Sequence, residues 1–330
     1  MKKILPVLFI LSAFLSGSLF AQTEKSGEVN ARGKNNPDKI DFRSLGVRPT
    51  IVTSSLFGPK GFYIDQTLGS PIFNMVSILN LPLTDISGKA VDYENSKHIQ
   101  AIIRQDDRIL LRQYLKPTAA NQQNANLINN NVAMEKPDKP LDAGNYVAEI
   151  RIDNHLIFSM PFELNVVRAE KPDAAIQECR TMDGLWSKYG FINFNQAGVM
   201  IWNFYETNRD KKVKNSVRDG RVYTVSQQLF KDGKPFSTKE TDDHLTTRGD
   251  WSIFHAVFSS VSTGSNIKKQ DLTDGQYLIK IKVDEEEREY PFTVKDGKIV
   301  LLEIQTKSKT ESAATKLEGM DSEFWVQRTK

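Results

Sequence analysis

One pattern occurs twice in this chain. Residues 144–167 read GNYVAEIRIDNHLIFSMPFELNVV and residues 275–294 read GQYLIKIKVDEEEREYPFTV. Gly144, Tyr146 and Asp153 recur 131 positions later as Gly275, Tyr277 and Asp284, and Pro161-Phe162 recurs 130 positions later as Pro291-Phe292. The second copy is therefore one residue shorter. In each copy every second residue is apolar: Tyr146, Ala148, Ile150 and Ile152, then Tyr277, Ile279, Ile281 and Val283. A period of two places those side chains on one face of a strand. Asp153-Asn154-His155 and Asp284-Glu285-Glu286 then turn the chain back as a hairpin. A repeat distance near 130 is far longer than the roughly 20–50 residues of a solenoid unit and is the size of a domain. Two copies of one β-domain are expected.

The similarity continues upstream more weakly. PIFNMVSIL (71–79) matches VMIWNFYET (199–207) in pattern, and RILLRQYLKP (108–117) stands where SQQLFKDGKPF (226–236) stands. Other short apolar runs, GFYIDQTLG (61–69) and IQAIIR (99–104), alternate with turn signals, and Gln105-Asp106-Asp107 predicts a hairpin turn. TAANQQNANLINNN (118–131) is rich in Asn, Gln and Ala and predicts a long loop or a short helix. Loops at 118–140 and 236–250 are the expected binding surfaces.

Short strands separated by turns predict a β-sandwich. Leu141-Asp142-Ala143-Gly144-Asn145-Tyr146 resembles the corner before strand F of an immunoglobulin-like domain, where a Tyr hydroxyl ties the corner to nearby backbone. Leu272-Thr273-Asp274-Gly275-Gln276-Tyr277 keeps Leu, Gly and Tyr, with its Asp one place later. Two residues beyond each Tyr, where disulfide-bonded immunoglobulin domains carry Cys, stand Ala148 and Ile279. The resemblance is thus to disulfide-free bacterial immunoglobulin-like and fibronectin-III-like domains. It implies an all-β fold of two tandem immunoglobulin-like β-sandwich domains and brings no active site.

Residues 1–21, MKKILPVLFILSAFLSGSLFA, have a charged start, an apolar run from Ile4 to Phe14 and small residues before Ala21. That is the layout of a secretory signal peptide. No later stretch reaches about 18 consecutive apolar residues, so no membrane span is expected after cleavage. The chain carries 44 Lys+Arg against 41 Asp+Glu, a net +3, and cleavage after Ala21 would remove Lys2 and Lys3 to leave +1. Near-neutrality gives no electrostatic basis for nucleic-acid binding. The single cysteine, Cys179, permits no internal disulfide. In an exported protein it is either a small core residue or the site of a disulfide to another chain. The expected layout is a signal peptide (1–21), a polar arm (22–45), a first domain (46–167), a linker (168–175), a second domain (176–305) and a polar tail (306–330). Phe324-Trp325-Val326 is the tail's only apolar cluster.

The chain contains no HExxH, GxSxG, CxxC or phosphate-loop pattern. Asp242-Asp243-His244 lacks a metal-ligand spacing, and Glu285-Glu286-Glu287 has the composition of a solvated hairpin tip. No enzyme, cofactor or metal is expected. Candidate partner-binding residues are of two kinds. Arg248-Gly249-Asp250 is the tripeptide that integrin ligands present on an exposed loop, although Trp251 directly after it signals a return to the core. Trp186 and Tyr189 flank a glycine-containing turn and are candidates to stack on a glycan or grip a protein. Together these features predict an exported, non-enzymatic binding or structural protein of a bacterial cell envelope, periplasmic or on the cell surface, with a protein partner there. A periplasmic chaperone-like module or a surface adhesin with a glycan or host ligand is the alternative.

Overall fold

Period-two alternation runs through nearly every apolar segment, and the chain folds accordingly into strands. The computed structural model describes residues 40–42, 49–52, 61–119, 121–130, 134–153, 155–170, 172, 177–214, 219–302 and 324–330. The expected signal peptide and most of the expected arm lie outside these. The described residues are all-β, with two short 3-10 turns, Leu185–Ser187 and Lys269–Asp271. None of their helices is long and apolar enough to cross a membrane.

The first ten strands are β1 (Thr50–Ile51), β2 (Phe62–Asp65), β3 (Ser70–Phe73), β4 (Met75–Leu79), β5 (Ile99–Gln105), β6 (Arg108–Pro117), β7 (Ala125–Asn129), β8 (Gly144–Ile152), β9 (His155–Ala169) and β10 (Glu178–Gly184). β2 and β3 form a separate hairpin. The others make one sheet in the order β1-β4-β7-β6-β5-β8-β9-β10, curled into a half-barrel. The remaining strands are β11 (Tyr189–Phe194), β12 (Met200–Glu206), β13 (Lys212–Val213), β14 (Gly220–Lys231), β15 (Lys234–Pro235), β16 (Glu240–Thr247), β17 (Ser252–Val257), β18 (Gly275–Val283), β19 (Glu286–Lys295), β20 (Lys298–Ile299) and β21 (Phe324–Gln327). They give a four-stranded sheet, β17-β12-β11-β21, and a six-stranded sheet, β15-β14-β18-β19-β20 with β16 also on β14. β13 adds in parallel to the end of β9.

The two hairpins share one register. Tyr146 faces Phe162 and Tyr277 faces Phe292, with stacked rings 5.7 Å and 5.0 Å apart. The Tyr146 hydroxyl donates to the Asp142 carbonyl (2.7 Å), and that of Tyr277 to the Thr273 carbonyl (2.8 Å). Leu141 and Leu272 are buried beneath these corners. Asp153 and Asp284 turn the chain with φ 51° at both positions. The missing residue has a physical cause: in β9 the pairing shifts between Ile150 and Arg151, so that Ile157 is an extra, bulged residue.

Beyond the hairpins, β5 and β14 are equivalent. Ile99 faces Ile152 as Val225 faces Val283, and Arg104 faces Val147 as Phe230 faces Leu278. Residues 226–236 therefore do not correspond to 108–117. The counterpart of β6 is β16, which lies on the outer side of β14 as β6 lies on the outer side of β5. In the first half β6 runs on to pair with β7, joining two groups of strands into one curled sheet. In the second half β16 and β17 form no such ladder, and the two sheets stay separate.

Two cores result. One lines the half-barrel with residues such as Ile64, Phe73, Ile103, Ala148 and Phe162. The other lies between the two remaining sheets, where Trp202 packs on Tyr290 at 4.9 Å. The four-stranded sheet is shared. Phe191, Tyr205 and Trp325 on it belong to the first core, while Ile192, Trp202, Phe204 and Val326 belong to the second. Alternating residues thus serve opposite cores. Gly190 makes this sheet possible at one point, because a Cβ there would lie 2.1 Å from the Trp202 ring.

Three expected loop or tail segments are ordered differently. Residues 118–131 contain β7, whose Ala125 and Leu127 point inward while Asn126 accepts from the Ser77 hydroxyl at 2.6 Å. Residues 236–250 contain β16. The tail ends in β21, whose Trp325 and Val326 are buried. The expected linker overlaps the end of β9, and β10 beyond it pairs back onto β9 from Arg168 to Phe162. Ile40, at the end of the expected arm, is buried and bridges to Asp85.

Candidate functional site

The residues singled out from the sequence converge on one place, the junction of the two cores, and most of them face inward. Trp186, on the Leu185–Ser187 turn, is 2% exposed. Its ring lies 5.3 Å from that of Trp251 and 6.2 Å from that of Phe62. Gly184 leaves room for it, since a Cβ there would sit 2.5 Å from the indole. Tyr189 is buried against Trp325, 5.8 Å between rings. Neither presents a face on which a glycan could stack, so the expected aromatic platform is replaced by core packing.

Arg248 is fully buried. Its Nη1 donates to the Asp210 carbonyl (2.6 Å) and its Nη2 to the Lys212 carbonyl (3.1 Å), which fixes the segment leading into β13. Gly249 takes φ 80° at the turn, and its carbonyl accepts from Ile64 N on the β2–β3 hairpin (3.4 Å). A Cβ at Gly249 would lie 2.4 Å from the Gln66 amide. That amide in turn bridges Arg180 N and O of β10 as a strand neighbour would. Asp250 accepts from the Thr247 hydroxyl at 3.3 Å. The tripeptide is a structural corner, not a displayed cation and carboxylate. An integrin-type loop needs the guanidinium in solvent, and here it neutralises buried carbonyl dipoles.

Two shallow grooves open beside this corner and share Asp210. One, of about 290 Å³, runs between β9–β10 (Val166, Met182) and the Arg209–Lys211 segment, with Arg248 beneath. The other, of about 370 Å³, is lined by Asp210, Lys214, Asp219, Gly220 and Arg221. Most of their charges are paired. Arg221 bonds Asp210 (2.5 Å) and Asp284 (2.9 Å), and Lys214 lies 3.5 Å from Asp210. Burial works to lower the Arg221 pKa, yet these carboxylates outweigh it and hold the pKa raised. Arg209 bonds Glu206 at 2.8 Å and lies over the Trp251 ring. Together the grooves are lined by five basic residues (Arg209, Lys211, Lys214, Arg221 and Arg248) and three acidic ones (Asp183, Asp210 and Asp219), so the surface keeps a modest basic excess.

The titratable groups reinforce this. Cys179 is 1% exposed, and burial pushes its thiol up to about 11, with Arg248 pulling the other way. Disulfide formation with another chain needs an accessible thiolate, which this packing withholds. His244 stacks on Phe254 at 4.3 Å, and burial lowers its pKa. Asp243 bonds the Thr224 hydroxyl at 2.7 Å, away from Asp242, which lies 4.0 Å from His244 Nε2. Among the described residues no group of three or more His, Cys, Asp or Glu is arranged to hold a metal.

Sequence reasoning missed two features. The first is the outer edge of β16. Among the described residues this strand pairs with β14 alone in the sheet, and Leu245 (64% exposed) faces Val222 (57% exposed) across that pair. Alternation carried the signal, because Tyr223, Val225 and Leu229 fill the buried face and leave Val222 outside. The second is the role of Glu286 and Glu287 in holding Arg328 (2.5 Å) and Lys330 (2.8 Å) of the C-terminal segment. No protein-family model, curated protein or solved structure matches this chain.

Proposed function

We propose that this chain is an exported, non-enzymatic binding or structural protein of a bacterial cell envelope, and that it takes a protein partner along the outer edge of β16. The observation that carries this is the edge itself. Eight residues, Glu240–Thr247, bond to β14 on one side, and an exposed apolar pair, Val222 and Leu245, lies next to it. A partner strand added there would gain main-chain hydrogen bonds along β16 and apolar contact at Leu245. Asp242 and Asp243 on the same strand disfavour indiscriminate pairing and select a partner with compensating charge. The leader-like residues 1–21 support export. The shared hairpin register, the two Tyr–backbone ties and the equivalence of β5 with β14 support two copies of an immunoglobulin-like unit, the first closed into a single sheet by β6.

The experiment is isolation of the tagged protein from its own cells under gentle conditions, beside a Leu245→Asp variant. A stoichiometric envelope protein retained by the wild type and lost from the variant supports the proposal. A partner retained equally by both overturns the assignment of the β16 edge. A client bound only during its own export would place the chain among chaperone-like modules that use the same edge.

A further inference from the structure

The geometry points to an exchangeable C-terminal strand: β21 of one copy can occupy the place of β21 in a second copy, so that the chain associates with itself by strand exchange. This is independent of the β16 edge.

The inference begins with connectivity. Among the described residues β21 pairs only with β11, in the register Tyr189–Gln327, Gly190–Val326, Phe191–Trp325 and Ile192–Phe324. No turn joins them. Residues 303–323, 21 in number, separate Leu302 from Phe324. A chain of that length spans at most about 70 Å. The position of β21 is therefore specified by residues 324–330 themselves. Trp325 is 2% exposed and packs on Tyr189 and on Phe191, the latter at 5.6 Å; Val326 is 1% exposed in the other core. Arg328 N donates to the Lys188 carbonyl and Thr329 N to the Glu289 carbonyl, both at 2.8 Å. Arg328 and Lys330 close on Glu286 and Glu287. A seven-residue segment with an aromatic anchor, a strand ladder and a basic clamp has the composition of a peptide ligand for a sheet edge.

The occupant is a second copy because every copy carries this ligand and its acceptor, and a swapped strand recreates every contact of the closed form. Only effective concentration separates the two states. A connection of 21 residues corresponds to an effective concentration of roughly millimolar for the segment it carries. A chain in dilute solution closes on itself, whereas copies crowded to comparable density exchange on nearly equal terms.

The test uses full-length chains with Cys179→Ala. One carries Ile192→Cys and the other Phe324→Cys, positions that face each other across the ladder. The two are mixed at ~1 mM, opened in mild urea, returned to buffer and oxidised. A chain carrying both cysteines is the control and closes an internal disulfide if the register is correct. The expected result is a disulfide-linked dimer from the mixture and none from either chain alone. Adding Trp325→Ala to the Phe324→Cys chain lowers the dimer yield by about tenfold or more. If the control closes and the mixture stays monomeric, exchange is refuted. If the control folds yet does not close, the β11–β21 register on which the inference stands is refuted. Should Ile192→Cys prevent folding, Tyr189→Cys with Gln327→Cys reads the same ladder at its other end.

Discussion

Glu206 and Arg288 form an ion pair buried to 1% and 2% exposure, and their energetics can be worked through before any measurement. Arg288 Nη2 reaches Glu206 at 2.5 Å and also bonds Glu286 at 2.9 Å. Glu206 further accepts from Arg209 Nε (2.8 Å) and Thr207 N (3.0 Å). Unit charges about 4 Å apart attract by about 4 kcal/mol at an effective dielectric of about 20. Removing two ions from water costs several kcal/mol each, so the pair as a whole is close to neutral against apolar residues of the same size. Removing one partner is different, because it leaves a buried charge with half its neutralisation. Arg288→Met and Glu206→Leu should each cost about 3 kcal/mol, the low end of the usual range of about 3–5, since Arg209 and Glu286 remain. The double variant removes both charges together and should cost less than either single one, an interaction energy of at least about 3 kcal/mol. The assay is urea unfolding of the four chains, followed by tryptophan fluorescence and circular dichroism together. If the single costs add to within about 0.5 kcal/mol in the double variant, the charges are not coupled and the reasoning fails.

Two further predictions follow from the hairpins and the C-terminal clamp. Tyr146→Phe and Tyr277→Phe should each destabilise the protein by about 1 kcal/mol, the loss of one hydroxyl-to-carbonyl bond at equivalent corners; unequal midpoint shifts in urea would show that the two ties differ in kind. Burial works to raise the pKa of Glu286, but Arg288 and Arg328 overcome it and hold the carboxyl at about 2, below its ordinary 4.5. The support this gives to the C-terminal strand is complete above about pH 4.5 and disappears as the pH falls toward 2. Hydrogen exchange at Trp325 and Val326 should accelerate across that window relative to β18, and Arg328→Gln should flatten the change.

The hairpins were legible in the sequence because their pattern is local. Alternation assigned Tyr146, Ala148, Ile150 and Ile152 to the buried face, and all four are buried. It also placed Glu149 on the outer face, yet Glu149 is 1% exposed beneath Arg104 and Arg151, a pairing that alternation cannot encode. β7 was hidden because its inward residues, Ala125 and Leu127, stand among Asn and Gln whose side chains bond the neighbouring strand and turn. The junction was hidden for a broader reason: Phe62, Trp186 and Trp251 meet from segments far apart in the chain. Trp251 alone gave notice that the Arg248-Gly249-Asp250 corner turns inward. The shared four-stranded sheet, with residues on both faces buried, reads in sequence as an aromatic-rich stretch and nothing more specific.

The placement of β21 also sets an order of events during biosynthesis. A chain emerges from its N-terminus, so Phe324–Gln327 appears after every strand that it packs against. Until then the β11 edge lacks its ladder partner, and Tyr189, Phe191 and Ile192 lack the indole and valine that cover them. Both cores stay open along one seam until Phe324–Gln327 arrives. A product that stops before Phe324 would keep every strand from β1 to β20 and still expose a sticky aromatic edge, the kind of surface that chaperones hold and proteases cut. Closure of both cores thereby waits on the synthesis of Phe324–Gln327.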